Sequence, residues 1–242
     1  MPTPHPLLAR FTPTVDLSDA EQAALSALPF TTERVMAGEG VAWAGDRPSR
    51  SFLILEGLLS TSKAVGDGEV QIMAFHIPGD MPDLNSLHLE VLDSDIGAVT
   101  DARLAFLAHQ DLRQLCAAHP RLAALLWRMT LVDAAISREW VVNVGQRPAI
   151  NRLAHLFCEM MARMEAAGLA QDGSCHLGLT QQHLSEATGL SSVHLNRTLQ
   201  ELRAMGLVSF GQGRLTLPDR DALRALADFR TDYLHLPTAK AA

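Results

Sequence analysis

The sequence predicts a mixed α+β chain in three parts: an N-terminal antiparallel β-sandwich or barrel, one long helix suited to pairing with a second copy, and a C-terminal winged helix-turn-helix. Three observations carry that prediction. Turn signals recur roughly every ten residues between Phe30 and Ala108, with short apolar runs between them. A helical pattern of roughly 25 residues runs unbroken from Pro120 to Gly145. Beyond Leu179, two short capped helices are separated by a glycine.

The composition permits this arrangement. The chain has 242 residues, 48% hydrophobic and 19% charged, enough apolar material for one large domain or two smaller ones and too much for a disordered chain. No apolar run approaches the ~18 residues that span a bilayer. The start, Met1-Pro2-Thr3-Pro4-His5, lacks a basic stretch followed by an apolar one. A cytoplasmic location with no membrane partner is therefore expected. Cys116, Cys158 and Cys175 are odd in number and far apart, so they make neither a disulfide framework nor a C-x-x-C metal site.

The first helix is expected between Ser18 and Leu28, where Ser18 and Glu21 have the spacing of a capping box. In the strand region, Gly38-Glu39, Gly45-Asp46, Gly57, Gly66-Asp67-Gly68 and Gly79-Asp80 punctuate the chain. The runs between them are Phe52-Leu53-Ile54-Leu55, Leu58-Leu59 and Val70-Gln71-Ile72-Met73-Ala74-Phe75. Helix dominates again from about Gln110, and Pro120 suits a helix start. Leu122, Leu126, Met129, Ile136 and Trp140 then fall close to an a/d seam, interrupted at Asp133. A helix this long outruns the preceding barrel, so the seam is expected to meet its equivalent in a homodimer. Gly145-Gln146-Arg147-Pro148 is the natural hinge. The domains expected are residues 1–110, the β domain with its N-terminal helix; 111–146, the dimerisation helix region; and 147–242, the winged helix-turn-helix.

The net charge of −7 is unevenly spread. Residues 1–147 hold 11 Lys+Arg and 18 Asp+Glu, whereas residues 148–242 hold 9 of each. An anionic partner is thus expected to bind the C-terminal part.

That part carries the chemistry. Thr180 can cap a helix ending near Gly189, and Ser191 can cap a second helix two residues later. At ~100° per residue, Leu195, Leu199 and Leu202 cluster on one side of the second helix, with Val193, Asn196, Arg197 and Gln200 mainly opposite. This second face suits base edges in the major groove of double-stranded DNA: Arg197 for guanine O6 and N7, and Val193 for a thymine methyl. Thr180, Gln181, Ser191 and Ser192 lie near helix N-termini, where phosphates bind. Leu207-Val208-Ser209-Phe210, the turn Gly211-Gln212-Gly213 and Arg214-Leu215-Thr216-Leu217 read as a β-hairpin wing that offers Arg214 to a phosphate. The Gly211-x-Gly213 pair lacks the third glycine and following helix of a nucleotide loop.

This order of parts resembles the Crp/Fnr family of bacterial transcription regulators. The resemblance covers nearly the whole chain. It is most specific from Leu179 to Leu207, where Leu-Thr-x4-Ser-x3-Gly-Leu-Ser and Val-His-Leu-Asn-Arg-Thr-Leu-x2-Leu stand together. Phe75-His76-Ile77-Pro78-Gly79-Asp80 is similar to the stretch that precedes the family's effector-binding segment. The resemblance implies a jelly-roll-like β-roll for the first domain, a homodimer and a palindromic operator. It also implies RNA polymerase as a partner, a small-molecule effector of unknown identity, and Arg197 as the shared arginine of the groove helix.

In the family's cyclic-nucleotide members, a Gly-Glu-Leu segment supplies a glutamate to the ribose, and an arginine some ten residues on takes the phosphate. The corresponding effector segment here comprises Gly79, Asp80, Leu84, Asn85 and Asp95, with Leu84 in place of the glutamate and Asp95 near the place of the arginine. An aspartate repels the phosphate that an arginine would hold. Cyclic AMP and cyclic GMP are therefore not expected to bind; the alternative is gating by a small molecule in an altered pocket.

Other chemistries lack their residues. The clustered N-terminal cysteines of iron–sulfur members are missing, since no cysteine precedes Cys116. His155/Glu159 and His183/Glu186 lie one helical turn apart and read as surface ion pairs or solvated residues, and Met160, Met161 and Met164 as core filler. No nucleophile elbow, phosphate loop or H-E-x-x-H is present. Neither an enzyme, a metal site nor a cofactor is expected.

Overall fold

A computed structural model describes residues 5–66 and 68–236. Helices α1 (Pro6–Phe11) and α2 (Asp19–Ala27) precede strands β1 (Thr31–Val35), β2 (Gly40–Ala42), β3 (Arg50–Glu56), β4 (Leu59–Val65) and β5 (Glu69–His76). One helical turn, α3 (Ser86–Leu89), leads to β6 (Asp95–Ala98) and β7 (Ala102–Ala108). Helices α4 (His109–Ala118), α5 (Pro120–Gln146) and α6 (Ala149–Ala166) follow. The chain ends in β8 (Ala170–Gln171), β9 (Ser174–His176), α7 (Gln181–Thr188), α8 (Ser192–Ala204), β10 (Ser209–Gly211), β11 (Arg214–Thr216), α9 (Arg220–Ala227) and a 3-10 turn at Asp232–Leu234. The fold is mixed helix and antiparallel sheet: a β-roll, a long helix and a winged helix-turn-helix. Among the described residues, no helix is long and apolar enough to cross a membrane.

By contact the chain divides into two units. The first comprises residues 5–59 and 76–133, and the second residues 60–75 and 134–236. Helix α5 contributes its first half to one and its second half to the other.

In the first unit, β7 lies between β1 and β3 in an antiparallel sheet, and β2 pairs with β6. The uninterrupted apolar run in β3 has a direct cause: β3 and its neighbour β7 are covered on both faces, while the edge strand β1 is exposed. Phe52 and Ile54 join Leu104 and Phe106 in one core with Ile96, while Leu53, Ala105 and Leu107 face a second core. That second core holds Leu7 and Phe11 of α1, Leu25 of α2, Leu112 of α4 and Leu122 and Leu126 of α5. A strand buried on both sides needs no alternation of polar residues. The capping box of α2 is formed, with Ser18 N–H donating to Glu21 Oε2 at 2.8 Å and Glu21 N–H to Ser18 Oγ at 3.3 Å. Helix α1 has no counterpart in the sequence reading. Only six residues long, it is started by Pro6 and by His5 Nδ1, which accepts from Leu7 N–H.

The second unit is built around α6, whose Leu153, Phe157, Met160 and Met161 are buried. The three methionines named from the sequence are indeed core. Strands run in the order β10-β11-β9-β8, so the hairpin wing is backed by two further short strands. The ribbon of β4 and β5 also belongs here: Arg163 Nη1 donates to the Phe75 carbonyl at 2.8 Å, and the Phe75 ring meets Trp140 edge-on at 5.8 Å.

Candidate nucleic-acid interface

The turn between α7 and α8 is fixed by local chemistry. Thr180 Oγ1 accepts from His183 N–H, and His183 Nδ1 accepts in return from Thr180 N–H, both at 3.2 Å. Histidine here replaces the glutamate or glutamine of the usual capping box. The reciprocal bond needs an unprotonated Nδ1, and desolvation lowers the His183 pKa to suit. Gly189 ends α7 at φ +64°, the left-handed conformation that glycine adopts without strain. Ser185 Oγ donates to the Leu190 carbonyl, and Ser191 Oγ accepts from His194 N–H at the start of α8.

The faces of α8 separate as the wheel implies. Leu195, Leu199 and Leu202 are fully buried, whereas Ser191, Ser192, Val193, Asn196, Arg197 and Gln200 are exposed. Thr180 and Gln181 are exposed at the start of α7. In the wing, Phe210 pairs with Leu215 and both point inward. Arg214 is exposed, with Nη1 donating to Ser174 Oγ at 3.1 Å. Gly213 sits at φ +72°, and a Cβ there would lie 2.9 Å from Gly178 Cα, so position 213 admits only glycine. The sequence-named residues of α7, α8 and the wing therefore stand exposed on adjoining elements of one unit.

Two side chains that sequence reading did not single out hold the turn from behind. Gln71 Nε2, on β5, donates to the Glu186 carbonyl at 2.7 Å, and Arg152 Nη1, on α6, donates to the Thr188 carbonyl at 2.7 Å. Both satisfy carbonyls at the C-terminal end of α7 that the helix leaves unpaired. A glutamine in a strand and an arginine after a proline give no sequence signal for this role.

Behind them lies a buried charged cluster. The His155/Glu159 pair anticipated as solvated is inside the protein, because α6 is covered on that side by Trp140, Phe229 and Tyr233. Glu159 accepts from Trp140 Nε1 at 3.0 Å and from Tyr233 Oη at 2.7 Å, with Arg163 Nη1 at 3.5 Å. Burial raises the Glu159 pKa, and these donors oppose the rise. His155 stacks on Tyr233 and lies 3.4 Å from Glu139, but Arg147 holds that carboxylate at 2.6 Å. Desolvation, aided by Arg147, pushes His155 down to about 3, so it is neutral at physiological pH. In the other pair, Glu186 stays near the surface, where its Oε1 accepts from Gln182 Nε2 at 2.9 Å in an exposed hydrogen bond. Among the described residues, no three His, Cys, Asp or Glu side chains are grouped to hold a metal ion.

The effector segment is placed as follows. Leu84 is 3% exposed and packs in the core of the first unit. Asp95 Oδ1 accepts from Ala44 N–H at 2.8 Å, Asp80 Oδ2 accepts from Ile77 N–H at 2.9 Å, and Asn85 precedes α3 without a side-chain cap. Gly79 takes φ +96°, and its carbonyl accepts from Arg10 Nε of α1 at 2.9 Å. Beside them Asp83 is buried and accepts from Phe52 N–H at 3.1 Å; desolvation pushes its pKa up to about 8.

On α5, Leu122, Leu126, Ile136 and Trp140 are at most 5% exposed within a single chain, and Met129 is half-buried. These side chains are thus taken up by the chain's own core. A different apolar face remains open, with Trp127 67%, Leu131 51% and Val141 73% exposed.

Comparison with known proteins gives independent matches to both halves. Residues 32–119 match the cyclic nucleotide-binding domain and residues 151–226 the Crp-like helix-turn-helix domain. The chain is 26% identical over 176 residues to the nitrogen fixation regulation protein FixK of Azorhizobium caulinodans, covering 72% of this chain and 70% of that protein. It is 22% identical to the transcriptional activator protein FnrL of Cereibacter sphaeroides, covering 81% and 79%. Its fold is similar to the structure of FixK2 from Bradyrhizobium japonicum, with a TM-score of 0.74 and 23% identity over 82% of this chain and 98% of that one.

Proposed function

We propose, from the premise that this chain belongs to the Crp/Fnr family of transcription regulators, that it is a homodimeric, sequence-specific reader of a palindromic DNA operator. Each copy inserts α8 into the major groove, and the half-site spacing follows from the two-fold axis. The observation that carries this reading is the face of α8: Val193, Asn196, Arg197 and Gln200 exposed above a fully buried leucine row. Arg197 reads guanine, Asn196 and Gln200 offer paired donors and acceptors, and Arg214 with the N-termini of α7 and α8 holds phosphates.

The open face of α5 supports a second copy as partner. Trp127, Leu131, Ala134, Arg138 and Val141 recur at steps of four, three, four and three, which keeps one seam toward a partner helix. Leu122, Leu126, Ile136 and Trp140 support that seam from inside the chain rather than forming it. RNA polymerase is the expected partner of the DNA-bound dimer, and the cytoplasm its expected location. Cyclic AMP and cyclic GMP do not gate it, since Leu84 is in the core and Asp95 brings negative charge where a phosphate would need a cation.

Selection of bound sequences from random DNA, with and without cyclic AMP or cyclic GMP, tests the proposal. The expected outcome is one palindromic consensus, enriched equally in all arms. Enrichment only with nucleotide would favour the gated reading, and no enrichment in any arm would overturn DNA reading itself.

A further inference from the structure

Helix α1 lies outside both segments that match known domains, residues 32–119 and 151–226. Its six residues are too few to hold a helix in water by themselves, so α1 exists because it is docked. It docks against the effector segment. Leu7 and Phe11, both buried, share one core with Met81, Leu84 and Leu87. Arg10 Nε donates to the Gly79 carbonyl at 2.9 Å, a charge-assisted bond across 69 residues of chain. Gly79 stands at φ +96°, and a Cβ there would come within 3.0 Å of Arg10 Cδ, so glycine is what lets the arginine approach.

The same segment is also gripped by β3 and α4. Gly79 N–H donates to the Ile54 carbonyl at 2.8 Å, Ile54 N–H to the Asp80 carbonyl at 3.0 Å, and Arg113 Nη2 to the Leu87 carbonyl at 2.9 Å. Those two elements cannot leave without unfolding the domain. Helix α1 can, because only the chain from Thr12 to Ser18 joins it to α2. A tethered segment acts on its seat at an effective concentration on the order of millimolar, which makes docking favourable and still reversible. Leu122 and Leu126, on the first half of α5, belong to the core that seats α1, and Trp127 and Leu131 lie on the open face of the same stretch. We propose that α1 is a regulatory strap. Docked, it closes the effector segment onto the core and seats the first half of α5 for pairing with a second copy; undocked, it releases both, with no small molecule required. The link to pairing rests on the homodimer reading given above, and the hold on the effector segment does not.

Two variants release the strap to different degrees. Arg10→Ala removes the bond to Gly79 and leaves Leu7 and Phe11 in the core, so the domain keeps its fold. Leu7→Asp sets a carboxylate in the apolar seat. Amide exchange and sedimentation equilibrium are measured on the full chain for both, and for Leu104→Ala, which weakens the same unit from its other core. In Arg10→Ala, exchange over residues 79–89 should quicken about ten-fold, the factor carried by one hydrogen bond to a charged group. Its dimer should dissociate at a higher concentration than the wild type, and Leu7→Asp should exceed it in both respects. Leu104→Ala should quicken β3 and β7 instead. Exchange over residues 79–89 that is unchanged in both α1 variants overturns the strap. Faster exchange with unchanged dimer association overturns its control of pairing. A wild-type chain that stays monomeric throughout overturns the homodimer reading and the link built on it, and the exchange result then decides the hold on the effector segment alone.

Discussion

Gln71 donates to the carbonyl of Glu186 at 2.7 Å, across 115 residues of chain, and so ties the β4–β5 ribbon to the end of the first helix of the helix-turn-helix. Replacing Gln71 by alanine leaves that carbonyl unpaired by the ribbon while Arg152 still holds Thr188. A loss of about 1 kcal/mol is expected, the usual contribution of one hydrogen bond. Urea denaturation gives the loss, and amide exchange over residues 184–190 should quicken in Gln71→Ala. Unchanged exchange there would show that the ribbon does not brace the turn.

Arg197→Ala is expected to cost about 1–3 kcal/mol per half-site and to relax specificity at one base pair in each half. Arg214→Ala should weaken all sequences alike and make the salt dependence shallower, as a phosphate contact does. Titration of an operator and its single-base variants at two salt concentrations separates the two. Uniform weakening by Arg197→Ala, with the rank order kept, would make Arg197 a phosphate contact.

The two faces of α5 predict opposite behaviours. Leu131→Glu places a charge on the open face and should give a species of 26.2 kDa in sedimentation, where the wild type is expected at twice that mass. Leu122→Ala removes a fully buried side chain. It should lower stability by about 2–5 kcal/mol and leave the dimer in place at temperatures where the chain is folded. A dimeric Leu131→Glu would move the interface elsewhere.

Asp83 predicts a pH dependence. Its pKa is about 8 when folded, against 3.8 for an ordinary aspartate. Between those values the unfolded chain releases the proton and the folded chain keeps it, so stability falls as pH rises from about 4 to about 8. Asp83→Asn keeps an acceptor for Phe52 N–H and removes the titration. At pH 7 the variant should be the more stable, by up to about 4 kcal/mol, and the two should converge near pH 4. Parallel stability curves across this range would show that Asp83 ionises normally.

The parts of the protein written locally were legible in the sequence. Thr180, Gly189 and Ser191 specify the two helices and their turn within a dozen residues, because caps and left-handed glycines act on their own neighbours. Strands β3 and β5 and the wing pair β10–β11 were legible from their turns, whereas the short β8 and β9 were not. The burial of both faces of β3 and β7 was not, since one face depends on helices α1, α2, α4 and α5, which lie before and after these strands in the chain, and the other on Leu59 and Ile96. Helix α5 shows the limit most clearly. Apolar residues lie on two of its faces, and periodicity cannot say whether Leu126 or Leu131 turns toward the chain's own core. The same holds for Glu159, whose partners Trp140 and Tyr233 lie 19 and 74 residues away.

The split make-up of the second unit imposes an order on biosynthesis. Residues 60–75 leave the ribosome early, yet the elements grouped with them begin at residue 134 and run to residue 236. At roughly 5–20 residues per second, Gln71 waits on the order of ten seconds before Glu186 has been made. During that interval β5, an edge strand, lacks its helical cover and is exposed to chaperones and to other nascent chains. The last partner to arrive is Tyr233, so the buried Glu159 cluster of α6 is sealed only after the helix-turn-helix has been made. A ribosome stalled before that tyrosine holds a chain whose Glu159 carboxyl lacks one of its two neutral donors.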